Sequence, residues 1–188
     1  MARRPRSEIA PGLYHVTARG NRRQEIYLAE SDIERFLAGL QLVVERFRWT
    51  CYAFCLLPNH YHLLVETSDP NLGAGMRDLN GPYAQWFNRR YSLGGHLFQD
   101  RFHSALVESD GHLLELTRYI ALNPVRAGLC RHPGDWPWGS YRATVGRAPR
   151  PAFLSIERLL GLFSVNLRSA RQKYAEFVRS APVRGAAA

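Results

Sequence analysis

Residues 49–67, WTCYAFCLLPNHYHLLVET, constrain the fold more than any other stretch. WTCYAFCLL (49–57) is an aromatic and apolar run of strand length. Pro58-Asn59 is a turn, and HYHLLVET returns as a second strand. This hairpin has to sit in a sheet with at least one covered face.

The rest of the chain supplies that sheet. GLYHVTARG (12–20) alternates Leu13, His15 and Thr17 against Tyr14, Val16 and Ala18, which reads as a strand. In SDIERFLAGLQLVVERF (31–47), Ser31 is the expected N-cap, and Ile33, Phe36, Leu37, Leu40 and Val44 recur at helical spacing. A second helix is predicted over about 72–91, kinked or interrupted at Gly81-Pro82. RFHSALVE (101–108) is another strand. A third helix begins at a Ser109 or Asp110 cap and is expected to stop near Asn123, before Pro124. The order β-α-β-β-α-β-α suits an α+β fold: a ferredoxin-like antiparallel sheet with helices on one face. Residues 1–11 read as a basic arm and 12–143 as the main domain. Residues 144–188 read as a linker and a small helical C-terminal extension, with helical patterning over 155–180.

Among the 188 residues, 46% are hydrophobic and 12% aromatic, enough for a real core and too much for a disordered chain. The net charge is +9, and 24 of the 25 basic residues are Arg, the exception being Lys173. A guanidinium is a planar fork that fits phosphate, so the chain suits a polyanionic partner. A GC-rich genome would also favour Arg over Lys, but it would not create the positive balance. Cys51 and Cys55 stand roughly 13 Å apart along one strand and read as small core residues rather than a bridge. No apolar run reaches the length of a membrane span, and MARRPR is followed by SEIAPG rather than an apolar stretch. A cytoplasmic protein is expected.

Side chains two apart in a strand share a face. His60 and His62 therefore project together, on the order of 7 Å apart at Cβ, while Tyr61, Leu63 and Val65 point the opposite way. Such a pair is either packed imidazole or part of a metal site, and imidazole alone does not select the ion. On the third helix Leu113, Leu116 and Ile120 form the apolar stripe. Tyr119 and Asn123, one turn apart, share a polar face. They are either reactive groups, or a core-edge residue and a helix stop.

PNHYHLLVE resembles the His-hydrophobic-His motif of the HUH superfamily of single-strand DNA nucleases. RYIALNPVRAGL (118–129) is similar to the tyrosine helix of single-tyrosine transposases, and the ending NPVRAGL resembles their REP-associated branch. YHVTARGNRRQEIY, GHLFQDRFHSALVE and WPWGSYRA match in order, so the likeness spans about residues 12–143. The resemblance implies that His60 and His62 hold a divalent metal, Mg²⁺ or Mn²⁺, with Asn123 in the place of a polar third ligand. It makes Tyr119 the nucleophile, forming a 5′-phosphotyrosine link to single-stranded DNA beside a hairpin and freeing a 3′-OH. No general base stands out, although His112 and Glu115 are within reach on the helix. Arg3, Arg4, Arg6, Arg19, Arg22 and Arg23 form a basic cluster with Glu8 as the single acid among the first 23 residues. Together with Arg101 and Arg126 they are the expected DNA contacts. Trp136, Trp138 and Tyr141 either stack on bases or form a satellite core.

Three other readings compete: a replication-initiator-like nickase, a catalytically silent hairpin DNA-binding protein, and an RNA-binding module of the same fold. NPVRAGL argues against the first. Retention of both histidines and Tyr119 argues against the second. The third lacks the glycine-aromatic strand motif of such modules. A monomer is expected, with a dimer as the alternative.

Overall fold

The computed structural model describes residues 11–181, so Arg3, Arg4 and Arg6 lie outside the described residues. The elements run β1 (Gly12–Arg19), a 3₁₀ turn (Asn21–Arg23), α1 (Glu30–Phe47), β2 (Thr50–Leu57), β3 (His60–Thr67), α2 (Leu72–Arg90), β4 (His103–Leu106) and α3 (Asp110–Arg126). A second 3₁₀ turn (Pro133–Asp135), α4 (Tyr141–Thr144), α5 (Glu157–Gly161) and α6 (Leu167–Arg179) follow. The four strands form one sheet in the order β2-β3-β1-β4, every neighbour antiparallel. This is the expected α+β ferredoxin-like arrangement.

Alternation along the strands gives the sheet two buried faces. Tyr14, Val16 and Ala18 of β1 and Tyr61, Leu63 and Val65 of β3 turn to one side, where α1 and α2 cover them. Phe36, fully buried on α1, meets the rings of Tyr61 at 4.8 Å, Tyr83 at 5.2 Å and Tyr27 at 5.7 Å. Leu64 of β3 and Cys55 and Leu57 of β2 turn to the other side, where Leu113 and Ile120 of α3 pack on them. So α1 and α2 share one face, but α3 lies across the opposite one, where helices on a single face were expected, because its Leu113 and Ile120 cover the second apolar face. A bulge at Tyr52, between Cys51 and Ala53, switches the parity of β2. It places Cys51 and Cys55 on opposite faces, both buried and unbridged.

Helix boundaries differ from the sequence reading in three places. Ser31 is not the cap of α1. The helix starts one residue earlier, and the buried carboxylate of Asp32 does the capping. Its Oδ2 accepts from the backbone N–H of Leu28 and Ala29 at 2.8 and 2.9 Å and from the Tyr91 hydroxyl at 2.8 Å. Gly81-Pro82 does not interrupt α2, because Met76, Leu79, Tyr83 and Phe87 on both sides of it bury one continuous stripe. That packing outweighs the hydrogen bond a proline removes. Pro124 does not end α3 either. The helix runs to Arg126 and closes at Gly128, whose φ of +70° lies in the left-handed region open to glycine. The proline removes the amide donor of the Ile120 carbonyl, and one residue earlier the side-chain amide of Asn123 donates to the Tyr119 carbonyl at 3.1 Å.

The segment after α3 seals the β2 edge. Leu56 N–H donates to the Trp138 carbonyl at 2.8 Å, Ser140 N–H to Phe54 at 2.9 Å, and the Trp136 indole N–H to Leu56 at 3.0 Å. An edge covered in this way cannot pair with another chain. Tyr141 is buried in the main core, and Trp136 and Trp138 are half-buried beside it. These aromatics pack, as one of the two expectations had it, but on the two main cores and not in a satellite one. α4 crosses the expected boundary at 143/144, and the patterning over 155–180 divides into α5 and α6. Asn166 caps α6 by accepting from Ser169 N–H at 3.0 Å. Ala170, Tyr174 and Val178 bind α6 to the core. Among the described residues no helix is long and apolar enough to cross a membrane.

Two stability measurements test this packing. Phe36→Ala opens a cavity inside the aromatic cluster and should lower unfolding free energy by about 3–5 kcal/mol in urea titration. Asp32→Ala leaves the Leu28 and Ala29 N–H groups unpaired and should cost about 1–3 kcal/mol, with faster amide exchange at both residues.

Candidate active site

The pairing of β3 with β1 and of β1 with β4 builds one polar row across the face opposite α1 and α2. Thr17 pairs with both His62 and His103, and Arg19 pairs with His60. Directly opposed residues in antiparallel strands share a face. Since Tyr61 and Leu63 are sunk in the first core, His60 and His62 emerge on this second face. α3 is held there by Leu113 and Ile120, and it swings Tyr119 over the row.

The three groups named from the motifs are close to one another. The imidazole rings of His60 and His62 lie 5.1 Å apart at their centroids. The Tyr119 ring stands edge-on to His62 at 5.5 Å, and the residue is 38% exposed. His15, which the motif reading did not single out, joins them: its Nε2 is 2.9 Å from His62 Nδ1, and its ring is 6.0 Å from Tyr119. The signal for His15 was its place on the polar parity of β1, beside Thr17. Its partner, however, is 47 residues away and follows only from strand register.

Hydrogen bonds fix how the imidazoles are presented. Asn59 donates its amide to the Arg23 carbonyl at 3.1 Å, so its Oδ1 is the acceptor 2.7 Å from His60 Nδ1. His60 Nδ1 therefore carries the proton, and its Nε2 carries the lone pair. His62 Nε2 is buried and has no hydrogen-bond partner. When His62 Nδ1–H donates to His15, that orphan nitrogen is a bare lone pair. Burial, then the charges of His15, His60 and Arg19, hold His62 down to about 3. Burial and then Arg19 hold His60 down to about 4. Both rings are neutral at pH 7, the form that binds a metal.

A cavity of about 340 Å³ opens beside the two histidines, lined also by Thr17, Arg19, Gln99 and Arg101. The Arg126 guanidinium lies 5.0 Å over the Tyr119 ring. Arg22 and Arg23 are exposed in the turn after β1, with φ of 53° and 62°. That turn is tied to the hairpin tip by Gly20 N–H donating to the Asn59 carbonyl at 2.8 Å. Glycine is required at position 20, since a Cβ would sit 2.1 Å from the Gln24 carbonyl oxygen. Asn123 is buried, its amide held by the Tyr119 carbonyl, and it does not line the cavity. Neither His112 nor Glu115 lines it: Glu115 pairs with Arg118, and His112 is exposed.

Among the described residues no group of three or more His, Cys, Asp or Glu is arranged to hold a metal. The donor set present is two neutral imidazoles, one with an orphaned buried nitrogen. That set fits a divalent ion that keeps open positions for water and phosphate oxygens.

Known proteins resemble this chain in sequence and in fold. The profile of the family described as "Transposase IS200 like" matches residues 11–123. A protein of Haemophilus influenzae (strain ATCC 51907 / DSM 11121 / KW20 / Rd) assigned as a REP-associated tyrosine transposase is 29% identical over 146 residues, 71% of this chain and 82% of its own length. A solved structure described as a REP-associated tyrosine transposase bound to a REP hairpin superposes with a TM-score of 0.64 at 21% identity, covering 82% of this chain and 92% of that one. The chain belongs to the IS200-like transposase family.

Proposed function

We propose that the protein is a metal-dependent endonuclease and strand transferase for single-stranded DNA. It cuts beside hairpin-forming repeats through a 5′-phosphotyrosine intermediate. The observation that carries this reading is the buried, unpartnered Nε2 of His62 with the partly exposed Tyr119 ring 5.5 Å away. A buried nitrogen without a hydrogen bond is costly unless something binds it.

His60 and His62 would hold Mg²⁺ or Mn²⁺, with Asn123 as a polar third ligand if its amide leaves the Tyr119 carbonyl. An ion held there would supply polarisation of the scissile phosphate and offset its developing charge. The Tyr119 phenol gives up its proton as its oxygen attacks phosphorus, an O–P bond forms, and the P–O3′ bond breaks. The departing O3′ takes up a proton and becomes a 3′-OH. The new phosphotyrosine diester keeps the reactivity of the old one, so a second 3′-OH can reverse the step without ATP. Arg19, Arg101 and Arg126 surround the cavity and Tyr119 with forks suited to phosphate oxygens. Arg22 and Arg23 extend this basic rim along the turn after β1, and Arg3, Arg4 and Arg6 would add to it from the N-terminal arm. Hairpin DNA as partner is taken from the bound state of the similar structure. A cytoplasmic monomer acting on nucleoid DNA completes the reading, and light scattering separates monomer from dimer.

Incubating wild-type protein and Tyr119→Phe with single-stranded hairpin DNA and Mn²⁺ tests the mechanism on denaturing gels. The wild type should nick the DNA and carry a covalent adduct; the variant should lose both. Nicking that survives in the variant would mean that water is the nucleophile. Hairpin binding without cleavage under any metal would favour the catalytically silent alternative.

His15 is a positioning residue in this scheme. His15→Ala leaves His62 Nδ1 without its acceptor, and Mn²⁺ affinity measured by calorimetry should fall about 10–100-fold. His15→Gln, which retains an acceptor, should restore part of it. Equal affinity in His15→Ala and wild type would remove His15 from the site.

A further inference from the structure

A second basic cavity, outside the histidine site, lies between α6 and the segment around α4. It has a volume of about 620 Å³, and Arg147, Arg168, Arg171, Arg179, His132 and Tyr141 line it. On α6 the residues at 168, 171, 175 and 179 recur at helical spacing and form one face. The opposite face, Ala170, Tyr174 and Val178, is buried in the core. The amphipathic pattern that docks α6 therefore also aims its arginines into the cavity.

Among the described residues no carboxylate lines this cavity. Among them, too, none of its four arginines forms an ion pair, whereas Arg150 and Arg158 of the same extension pair with Glu157, Glu66 and Asp110. Arg171 is the most constrained of the four. Its guanidinium is laid against Gly146, where an added Cβ would come within 2.8 Å of Nη1, and Gly146 has a φ of +79°. Its Nε is buried with no hydrogen-bond partner. Four like charges gathered around one opening, one with an orphaned buried donor, call for an anion.

We propose that this cavity binds backbone phosphates of the hairpin DNA, which gives the C-terminal extension a role in substrate holding; the proposal rests on the DNA reading above. The extent of the site favours a strand over a single small anion. Arg168 and Arg179 are eleven positions apart on α6, roughly 16 Å at 1.5 Å per residue. A DNA strand presents a phosphate about every 3.4 Å of helix axis. Guanidinium forks meet phosphate oxygens two at a time.

The test is fluorescence anisotropy of a labelled DNA hairpin in EDTA over a series of salt concentrations. It compares wild type with Arg168→Gln/Arg179→Gln, Arg171→Gln and, as a control, Arg150→Gln. The first pair is exposed and should not disturb folding, while melting curves show whether Arg171→Gln is folded. Each guanidinium withdrawn from a phosphate should lower the slope of log K against log salt by about 1 and weaken binding about tenfold near 0.1 M salt. Arg150→Gln removes the same charge outside the cavity and should leave the slope at the wild-type value. Unchanged slopes in the cavity variants would overturn the proposal while leaving the function reading intact. So would an equal fall in Arg150→Gln, which would mean long-range charge alone. A weakening confined to an RNA hairpin of the same sequence would overturn it in favour of RNA. Wild-type protein that binds no hairpin DNA would take down the function reading first, and this inference with it.

Discussion

Register in β3 is held by a buried phenol. Tyr61 is fully buried, with Phe36 at 4.8 Å and Phe98 at 6.2 Å, and its hydroxyl donates to Asn80 of α2 at 2.7 Å. A one-residue slip would reverse the facing of the whole strand. His60 and His62 would then enter an aromatic core that offers one amide acceptor for two imidazoles, and Tyr61 would move to the polar face. Each imidazole nitrogen left unpaired there costs about 1–3 kcal/mol. The hydrogen bond that docks α2 is therefore also the one that presents both histidines to the opposite side. Folding and site assembly cannot be separated at this strand.

The second face works because α3 covers only part of it. Leu113 and Ile120 seal the side formed by Leu57, Cys55 and Leu64. β4 is only four residues long, and His103 and Ala105 on it are exposed. Tyr119 sits between the sealed and open parts. His62 is thus buried against a dry core while the cavity beside it stays accessible. Electrostatic interactions are stronger where water is excluded. A bound phosphate would meet the imidazoles and Arg19 at the edge of that dry region.

Local pattern made much of this legible. Strand alternation set the inward direction of Tyr61 and the shared face of His60 and His62, and helical spacing placed Tyr119 on a polar face beside the stripe of Leu113 and Ile120. What was not legible depends on interactions between distant segments. Ser31 is a good cap by type, but Asp32 wins because Arg90 at the end of α2 and Tyr91 just after it reach its carboxylate. Pro82 and Pro124 are breakers by type, overridden by packing on both sides of them. The bulge at Tyr52 is invisible to a simple alternation rule, so the opposite facing of Cys51 and Cys55 was too. The bond between His15 and His62 requires the β1–β3 register, and the α6 cavity requires the docked extension. Asn123 is the residue for which motif and geometry diverge, its amide being held on the Tyr119 carbonyl.

Two groups stand out among the described arginines of a chain that carries +9. Arg46, Arg48, Arg90, Arg118, Arg150 and Arg158 meet carboxylates and serve the fold. Arg19, Arg101 and Arg126 around the histidine site, and Arg147, Arg168, Arg171 and Arg179 around the α6 cavity, form no ion pair among the described residues. The two also respond differently to ions. Exposed pairs contribute about 0–1 kcal/mol each, so screening them changes stability little. Unpaired guanidiniums facing a polyanion act through counterion release, which depends steeply on salt. Ionic strength therefore separates what the arginines do for folding from what they do for recognition.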